Sequence, residues 1–411
     1  MAPRRLLTLG HSYVVGVNRR LAHELSRAGG EDWEVVCAGP RRFRGTRDLR
    51  AQSLSLLPGE GEGGPEQARV VGLGARGTRR VHVFLYGPRL ASLLREGWDV
   101  VHAWEEPFVL AGGQIAALTP SSAKLVFRTD QNLDKSYPPP FSWIERRAMR
   151  KASAWVYQGV LVGQALGGRP GYRERPSRRI PYGVDLGAFH PDPGRRLATL
   201  RGLGWDPAGP PVVGFLGRFT PEKGLDLLCG ALAACQAPWR MLFVGAGPEE
   251  ARLRRWAAAQ GGRARVLSDV GHDEVPAVLN AMDVLCAPSQ TTAAWKEQFG
   301  RMLIEAFASE VAVVGSQSGE IPYVIGEAGR VLPEADRAAW TSCLDELLGD
   351  DEARQVGVDP GDQARLDELL GDDEARRELA ARGLQRARET FAWPVVARQH
   401  LTFFNELLES A

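Results

Sequence analysis

Residues 212–224 read VVGFLGRFTPEKG, and the ten that follow, 225–234, read LDLLCGALAA. A five-residue apolar run stops at Gly217, turn-forming residues and the cations Arg218 and Lys223 follow, and a segment rich in Leu and Ala begins after Gly224. This predicts a buried strand Val212–Leu216, a loop, and a helix Leu225–Ala234, the repeating unit of a parallel sheet. Downstream the alternation continues through strand Met241–Val244, helix Glu249–Gln260, strand Arg265–Leu267, helix Val275–Ala281, strand Val284–Ala287, helix Gly300–Ala308 and strand Ala312–Gly315. Strands that alternate with crossover helices make a doubly wound α/β layer.

A similar series precedes it: strand Leu6–Leu9, helix Val17–Arg27, strand Glu34–Cys37, helix Pro88–Leu94, strands Val100–Ala103 and Lys124–Arg128, helix Trp143–Ala152 and strand Ala154–Tyr157. Arg41–Gly77 is rich in Gly, Arg and Glu and is expected to form variable loops around one or two weak strands. The Pro/Gly-rich stretch Asp206–Pro211 separates the two series. The expected architecture is therefore α/β with two doubly wound domains, residues 1–205 and 206–390, and small polar ligands at the carboxyl ends of the strands. An amphipathic helix Phe391–Leu408 carries Trp393, Val396, Leu401 and Phe404 on one side.

The length of 411 residues suits two or three domains, and 44% hydrophobic with 25% charged residues is a folded composition. Its 51 basic and 50 acidic residues leave a net charge of +1, which excludes a global basic field for nucleic acid. Cys37, Cys229, Cys235, Cys286 and Cys343 are scattered without a C-x-x-C pair, which fits neither a disulfide framework nor a zinc site and points to a reducing, cytoplasmic setting. The N-terminal apolar run is broken at Gly10, so it is expected to be a strand and not an export signal. Only five of the basic residues are lysines, and Lys223 is one of them.

LDELLGDDEAR occurs twice, at 344–354 and at 366–376, a period of 22 residues. Asp359-Pro360-Gly361 between the copies predicts two short helices. The repeat is expected to be a tolerated surface duplication, so that a chain lacking Gln355–Arg376 keeps its activity.

The segment 297–305, EQFGRMLIE, holds most of the chemistry. Gly300 lies at the start of a helix whose free N–H groups suit an anion. Were the whole stretch helical, Glu297 and Glu305 would stand about 12 Å apart at ~1.5 Å per residue, too far for a glycosidase pair at roughly 5–9.5 Å. That span matches a sugar diphosphate, with carboxylates accepting the vicinal hydroxyls at either end. Arg218 and Lys223 would neutralise the phosphates.

GRFTPEKG (217–224), FVGAGPE (243–249), GHDEVPAVLNAMDVLCAPS (271–289), the E-x7-E of 297–305 and SGEIPYVIGEAG (318–329) together resemble the C-terminal half of the retaining glycosyltransferases of family 4. The likeness extends to HSYVVGVNRRLAHELS (11–26), PYGVD (181–185) and Phe391–Leu408. It implies the GT-B fold, two Rossmann-like domains facing across a cleft, with a C-terminal helix (391–411) crossing back to an N-terminal acceptor-binding domain. It further implies Arg218 and Lys223 on the donor diphosphate, Glu297 on the transferred sugar, Glu305 on the ribose, Phe299, Gly300 and Arg301 facing sugar or phosphates, Gly271 near the base, and Gly16 approaching the diphosphate.

Where many relatives carry a histidine in a Thr-Phe-His stretch, this chain has Arg128-Thr-Asp-Gln-Asn132, which puts Gln131 in that slot beside Asp130. His102 and Glu105, in VHAWEEP (101–107), are expected to face the donor sugar or the acceptor. No D-x-D occurs, so neither a metal nor any other cofactor is expected. The implied activity is transfer of a hexose-type sugar from a nucleotide diphosphate sugar, UDP before GDP, to a hydroxyl acceptor in polysaccharide or glycolipid synthesis. The alternatives are an epimerase or phosphorylase on the same scaffold, or a non-catalytic sugar-nucleotide-binding subunit. Arg41, Arg42, Arg44, Arg47 and Arg50, with Arg146, Arg147, Arg150 and Lys151, are candidate contacts for an anionic membrane at its inner face.

Overall fold

The structure is a computed structural model that describes residues 2–45, 52–349 and 363–410. The chain divides into two compact units, Met1–Gly183 with Trp393–Ala411, and Val184–Ala392.

In the first unit seven parallel strands lie in the order Ser177–Arg179, Ala154–Tyr157, Lys124–Thr129, Val100–Ala103, Arg4–Leu9, Trp33–Pro40, Arg69–Leu73. Strand Arg4–Leu9 is interior, next to the central Val100–Ala103: Leu6 pairs with Val35 on one side and Val100 on the other. The chain builds outward from it in one direction and then returns to its other flank, so the topological switch point lies between Arg4–Leu9 and Val100–Ala103. One expectation is sharpened here and one fails. Arg69–Leu73, within the stretch expected to hold one or two weak strands among loops, is a full edge strand with Val70 and Leu73 buried. The first helix is Arg20–Gly29 and not Val17–Arg27, because two short 3-10 turns, His11–Val14 and Gly16–Arg19, come first. Arg19 fixes those turns: its fully buried guanidinium pairs with Glu60 at 2.7 Å and donates to Tyr13 O at 3.0 Å.

The C-terminal helix Trp393–Glu409 belongs to this unit. It covers Arg20–Gly29, placing Val396, Phe403, Phe404 and Leu407 in one core with Leu21, Leu25 and Trp33. Each such large side chain contributes about 1.5–3 kcal/mol by leaving water. Gly183 lies against the Trp393 ring, where a Cβ would collide with the indole.

In the second unit six parallel strands lie in the order Ala264–Leu267, Arg240–Val244, Val212–Leu216, Val284–Ala287, Ala312–Ser316, Arg330–Leu332. Its switch point lies between Val212–Leu216 and Val284–Ala287, which pair through Val213 and Val284. The expected boundary at 205/206 moves to 183/184. Helix Pro193–Gly202, capped by Asp192, packs within the second unit, where Arg196 grips Asp283 at 3.0 and 3.1 Å and Thr199 donates to Ala277 O at 3.2 Å.

The first copy of the duplicated segment begins inside helix Arg337–Leu348, with Leu344, Leu347 and Leu348 buried. Its remainder, including Asp350, Asp351 and Glu352, and the Asp359-Pro360-Gly361 break lie outside the described residues. The second copy is part of a helix of 24 residues, Gln363–Arg386, longer than the short helix expected. Buried Leu379 and Ala380, and Arg386 donating to Val324 O at 2.8 Å, hold the later turns of that helix to the core.

Candidate functional site

Both strands that flank the second unit's switch point end in loops that meet. The loop after Val212–Leu216 contributes Lys223, and the loop after Val284–Ala287 contributes Glu297. Lys223 Nζ lies 2.5 Å from Glu297 Oε2, and both residues are more than 90% buried. Ser289 Oγ donates to the same oxygen at 3.0 Å, and the ammonium lies 5.1 Å from the centre of the Trp295 ring. Ser316 Oγ in turn donates to Ser289 O at 2.5 Å.

Two glycines make this packing feasible. Gly224 has φ 69° and caps helix Leu225–Ala234, where a Cβ would strike Pro288 O. Gly319 has φ 57° and lies against the backbone of Glu297, whose carbonyl accepts from Glu320 N at 3.1 Å. The Glu297 backbone is therefore clamped by a turn that only glycine can form.

Arg218 stands apart from the pair. Its side chain is 48% exposed and its nearest acidic group is Glu222 at 3.8 Å. Its loop is bound to the next one by Gly217 N to Val244 O at 3.0 Å and Phe219 N to Ala246 O at 2.8 Å. Gly300, at φ 80°, caps helix Arg301–Ala308 without a side-chain cap. The segment 297–300 is thus loop and not helix, and the spacing expected from a continuous helix does not apply. Phe299 is buried edge-on to Phe391, at 6.1 Å. Glu305 is buried one turn after Arg301; burial pushes its carboxyl up, opposed by the charges of Arg301 and His272. Gly271 N donates to Glu274 Oε2 at 2.8 Å.

In the first unit the assignments change. His102 is fully buried beneath the C-terminal helix, 5.4 Å from His400 and 5.5 Å from Phe404 between ring centroids, so it meets a helix and not a ligand. Burial, then His400 and Arg128, hold its imidazolium well below the ordinary histidine range. Glu105 is also buried, accepting from His11 N at 2.6 Å, His11 Nδ1 at 2.7 Å and Tyr86 OH at 2.8 Å. Asp130 accepts from Tyr182 OH at 2.7 Å, and Gln131 donates to Leu133 O at 2.7 Å. Gly16 opens the turn Gly16–Arg19, and a Cβ there would make only ordinary contact with Arg19.

Sequence reasoning passed over His11, Ser289, Trp295 and Gly319. Glu106, which the sequence grouped with His102 and Glu105 as facing ligand, has its carboxyl pushed up to about 8 by burial and by Asp130. His11 did carry a signal, since it follows the first strand directly after Gly10.

Residues 210–350 match the family model described as glycosyl transferases group 1. The chain is 34% identical over 181 residues to a phosphatidyl-myo-inositol mannosyltransferase of Mycolicibacterium smegmatis, covering 43% of this chain and 44% of the relative. It is 32% identical over 286 residues to a D-inositol 3-phosphate glycosyltransferase of Corynebacterium efficiens, covering 66% of this chain and 64% of the relative. The matches thus span less than two thirds of either relative. The Anabaena protein HepE, solved in complex with UDP-glucose, superposes with a TM-score of 0.64 at 18% identity over 99% of this chain and all of that one. A family match that begins just before strand Val212–Leu216 and ends just after helix Arg337–Leu348 takes in the whole Lys223–Glu297 site, so this part of the chain is similar to the group 1 glycosyltransferases, and the fold is GT-B.

Proposed function

We propose that the chain transfers a hexose-type sugar from a nucleotide diphosphate sugar to an acceptor hydroxyl, with retention at the anomeric carbon. The observation that carries this reading is the buried Lys223–Glu297 pair at the switch point. An ammonium has three donors and Glu297 takes one, so Lys223 is held in position with donors left for phosphate oxygens. Arg218, more exposed, supplies a planar guanidinium for the same diphosphate. The second oxygen of Glu297 accepts sugar hydroxyls, and Glu305 accepts the ribose diol.

As the bond between the anomeric carbon and the phosphate oxygen breaks, charge grows on the diphosphate, where the two cations stabilise it. The departing phosphate oxygen takes the acceptor proton on the same face, so the step needs no protein base, no metal and no other cofactor. UDP is the first candidate base, supported by HepE having been solved with UDP-glucose, and GDP the second. Relatives named for inositol phosphates and phosphatidylinositol favour a glycolipid or glycoconjugate acceptor.

No helix among the described residues is long and apolar enough to cross a membrane. Helix Phe141–Lys151 exposes Trp143 together with Arg146, Arg147 and Arg150, which supports peripheral contact with an anionic surface from the cytoplasmic side. Reversing these three arginines to glutamate should release the protein from anionic vesicles.

Hydrolysis of UDP-, GDP- and ADP-sugars by wild type and Glu297→Ala tests the transferase reading. Release from one donor class that falls at least a hundredfold in the variant is expected; release unchanged by the substitution overturns the role of Glu297.

A further inference from the structure

The switch point of the first unit carries chemistry that donor binding leaves unused. Strand Arg4–Leu9 leads through Gly10 to His11, and its neighbour Val100–Ala103 leads through Trp104 to Glu105. Both oxygens of the buried Glu105 hold His11, one at the backbone N–H and one at Nδ1, 2.6 and 2.7 Å away. With Nδ1 fixed, Nε2 is the ring nitrogen left for a ligand, and His11 lines a cavity of about 780 Å³ within this unit.

Burial of the imidazole opposes its cation, but the charge of Glu105, its hydrogen bond to the ring, and the charges of Glu106 and Asp130 outweigh that, and the net shift is upward. Arg80 also lines the cavity, and it has no ion-pair partner among the described residues. Among the described residues no acidic side chain lines the cavity, while Val15, Phe43, Val81 and Phe141 give it an apolar wall. Phe43 also packs on the His11 ring, 5.0 Å between centroids, so the cationic and apolar walls adjoin. A guanidinium and an imidazole held against a buried carboxylate, beside an apolar wall and with no competing carboxylate among the described lining residues, are complementary to an organic anion, and a guanidinium fork matches phosphate oxygens.

We propose that this cavity binds a phosphomonoester, its phosphate on His11 and Arg80 and its carbon skeleton on Phe43 and Phe141. That this phosphomonoester is the sugar acceptor rests on the transferase reading above; the binding site itself does not.

Phenyl phosphate, phenol and benzoate are titrated calorimetrically into the full chain, and phenyl phosphate also into Arg80→Gln and His11→Gln. Phenyl phosphate is expected to bind at least tenfold more tightly than phenol or benzoate, and at least tenfold more weakly to each variant. Arg80 is exposed and unpaired, so its variant keeps the test open should His11→Gln fail to fold. Equal affinity for phenol, or affinity unchanged in Arg80→Gln, overturns the site; benzoate binding as well as phenyl phosphate overturns the phosphate assignment. Loss of the site with intact donor hydrolysis would remove this proposal alone, whereas absent donor hydrolysis with intact phenyl phosphate binding would remove only the transferase reading.

Discussion

Lys223 and Glu297 form a buried ion pair 2.5 Å long between residues 74 positions apart, joined because their strands are neighbours at the switch point. Removing one member of such a pair leaves the other charge uncompensated, at about 3–5 kcal/mol, whereas removing both is close to neutral. Lys223→Met should therefore be strongly destabilised in urea, and Lys223→Met/Glu297→Met should recover most of the loss. Neither should turn over donor at more than about one hundredth of the wild-type rate, given the usual size of such electrostatic contributions. A double variant less stable than the single one would show that the pair is not what couples the two loops.

Gly319 sets the Glu297 backbone, so its replacement should damage the site from outside it. Gly319→Ala places a methyl group against Glu297 N and O at φ 57°, a conformation that costs a non-glycine residue about 1–3 kcal/mol. Thermal unfolding should shift downward, and affinity for the donor nucleotide should fall further than the stability loss explains. Nucleotide affinity equal to wild type would show that the clamp does not position Glu297.

His102 and His400 make stability depend on acidity. In the unfolded chain each titrates near 6.5. Folded, His400 is lowered to about 3 by burial and by Arg128, and His102 lies well below its usual range. As pH falls below about 6.5 the unfolded state therefore binds protons that the native state refuses, and stability present above that pH is lost toward pH 3. Each histidine contributes a slope of about 1.4 kcal/mol per pH unit. Glu106, raised to about 8, titrates in the opposite sense, so the histidine share is read by difference: in urea unfolding at pH 7, 6 and 5, wild type should lose more stability on acidification than His400→Leu, by about 1.4 kcal/mol per pH unit below pH 6.5.

Glu310 has φ 57°, the only positive φ of a non-glycine residue among the described residues. The left-handed conformation costs an L-residue about 1–2 kcal/mol, part of which glycine returns through its greater unfolded-state entropy. Glu310 is exposed, and among the described residues no ion pair holds it. Glu310→Gly should therefore raise stability by about 0.5–1 kcal/mol, measured by urea unfolding, with donor turnover unchanged.

The alternation of short apolar runs with helices was sufficient to identify two doubly wound layers, because inner strands such as Val100–Ala103, Val284–Ala287 and Ala312–Ser316 are buried on both faces and read as nearly uninterrupted apolar stretches. Arg69–Leu73 escaped because Arg69 and Gly72 interrupt its pattern and its pairing with Val36–Pro40 is nonlocal. The unit boundary was displaced for a similar reason: nothing local to Pro193–Gly202 indicates that Arg196 finds Asp283. Within the site, Lys223 and Glu297 were identified separately as residue types suited to phosphate and sugar. Their direct bond was not legible, since it depends on which strands are adjacent. His102 was misread because the carboxyl end of a parallel strand ordinarily faces ligand, and here a helix more than 290 residues downstream in the chain, Trp393–Glu409, covers it.

That same helix gives the molecule an unusual order of assembly. The core of the first unit includes Val396, Phe403 and Phe404, which a ribosome adds only after every residue of the second unit has been made. Domains ordinarily acquire structure in the order of synthesis. Here the second unit is complete while the first still lacks the helix that closes its core.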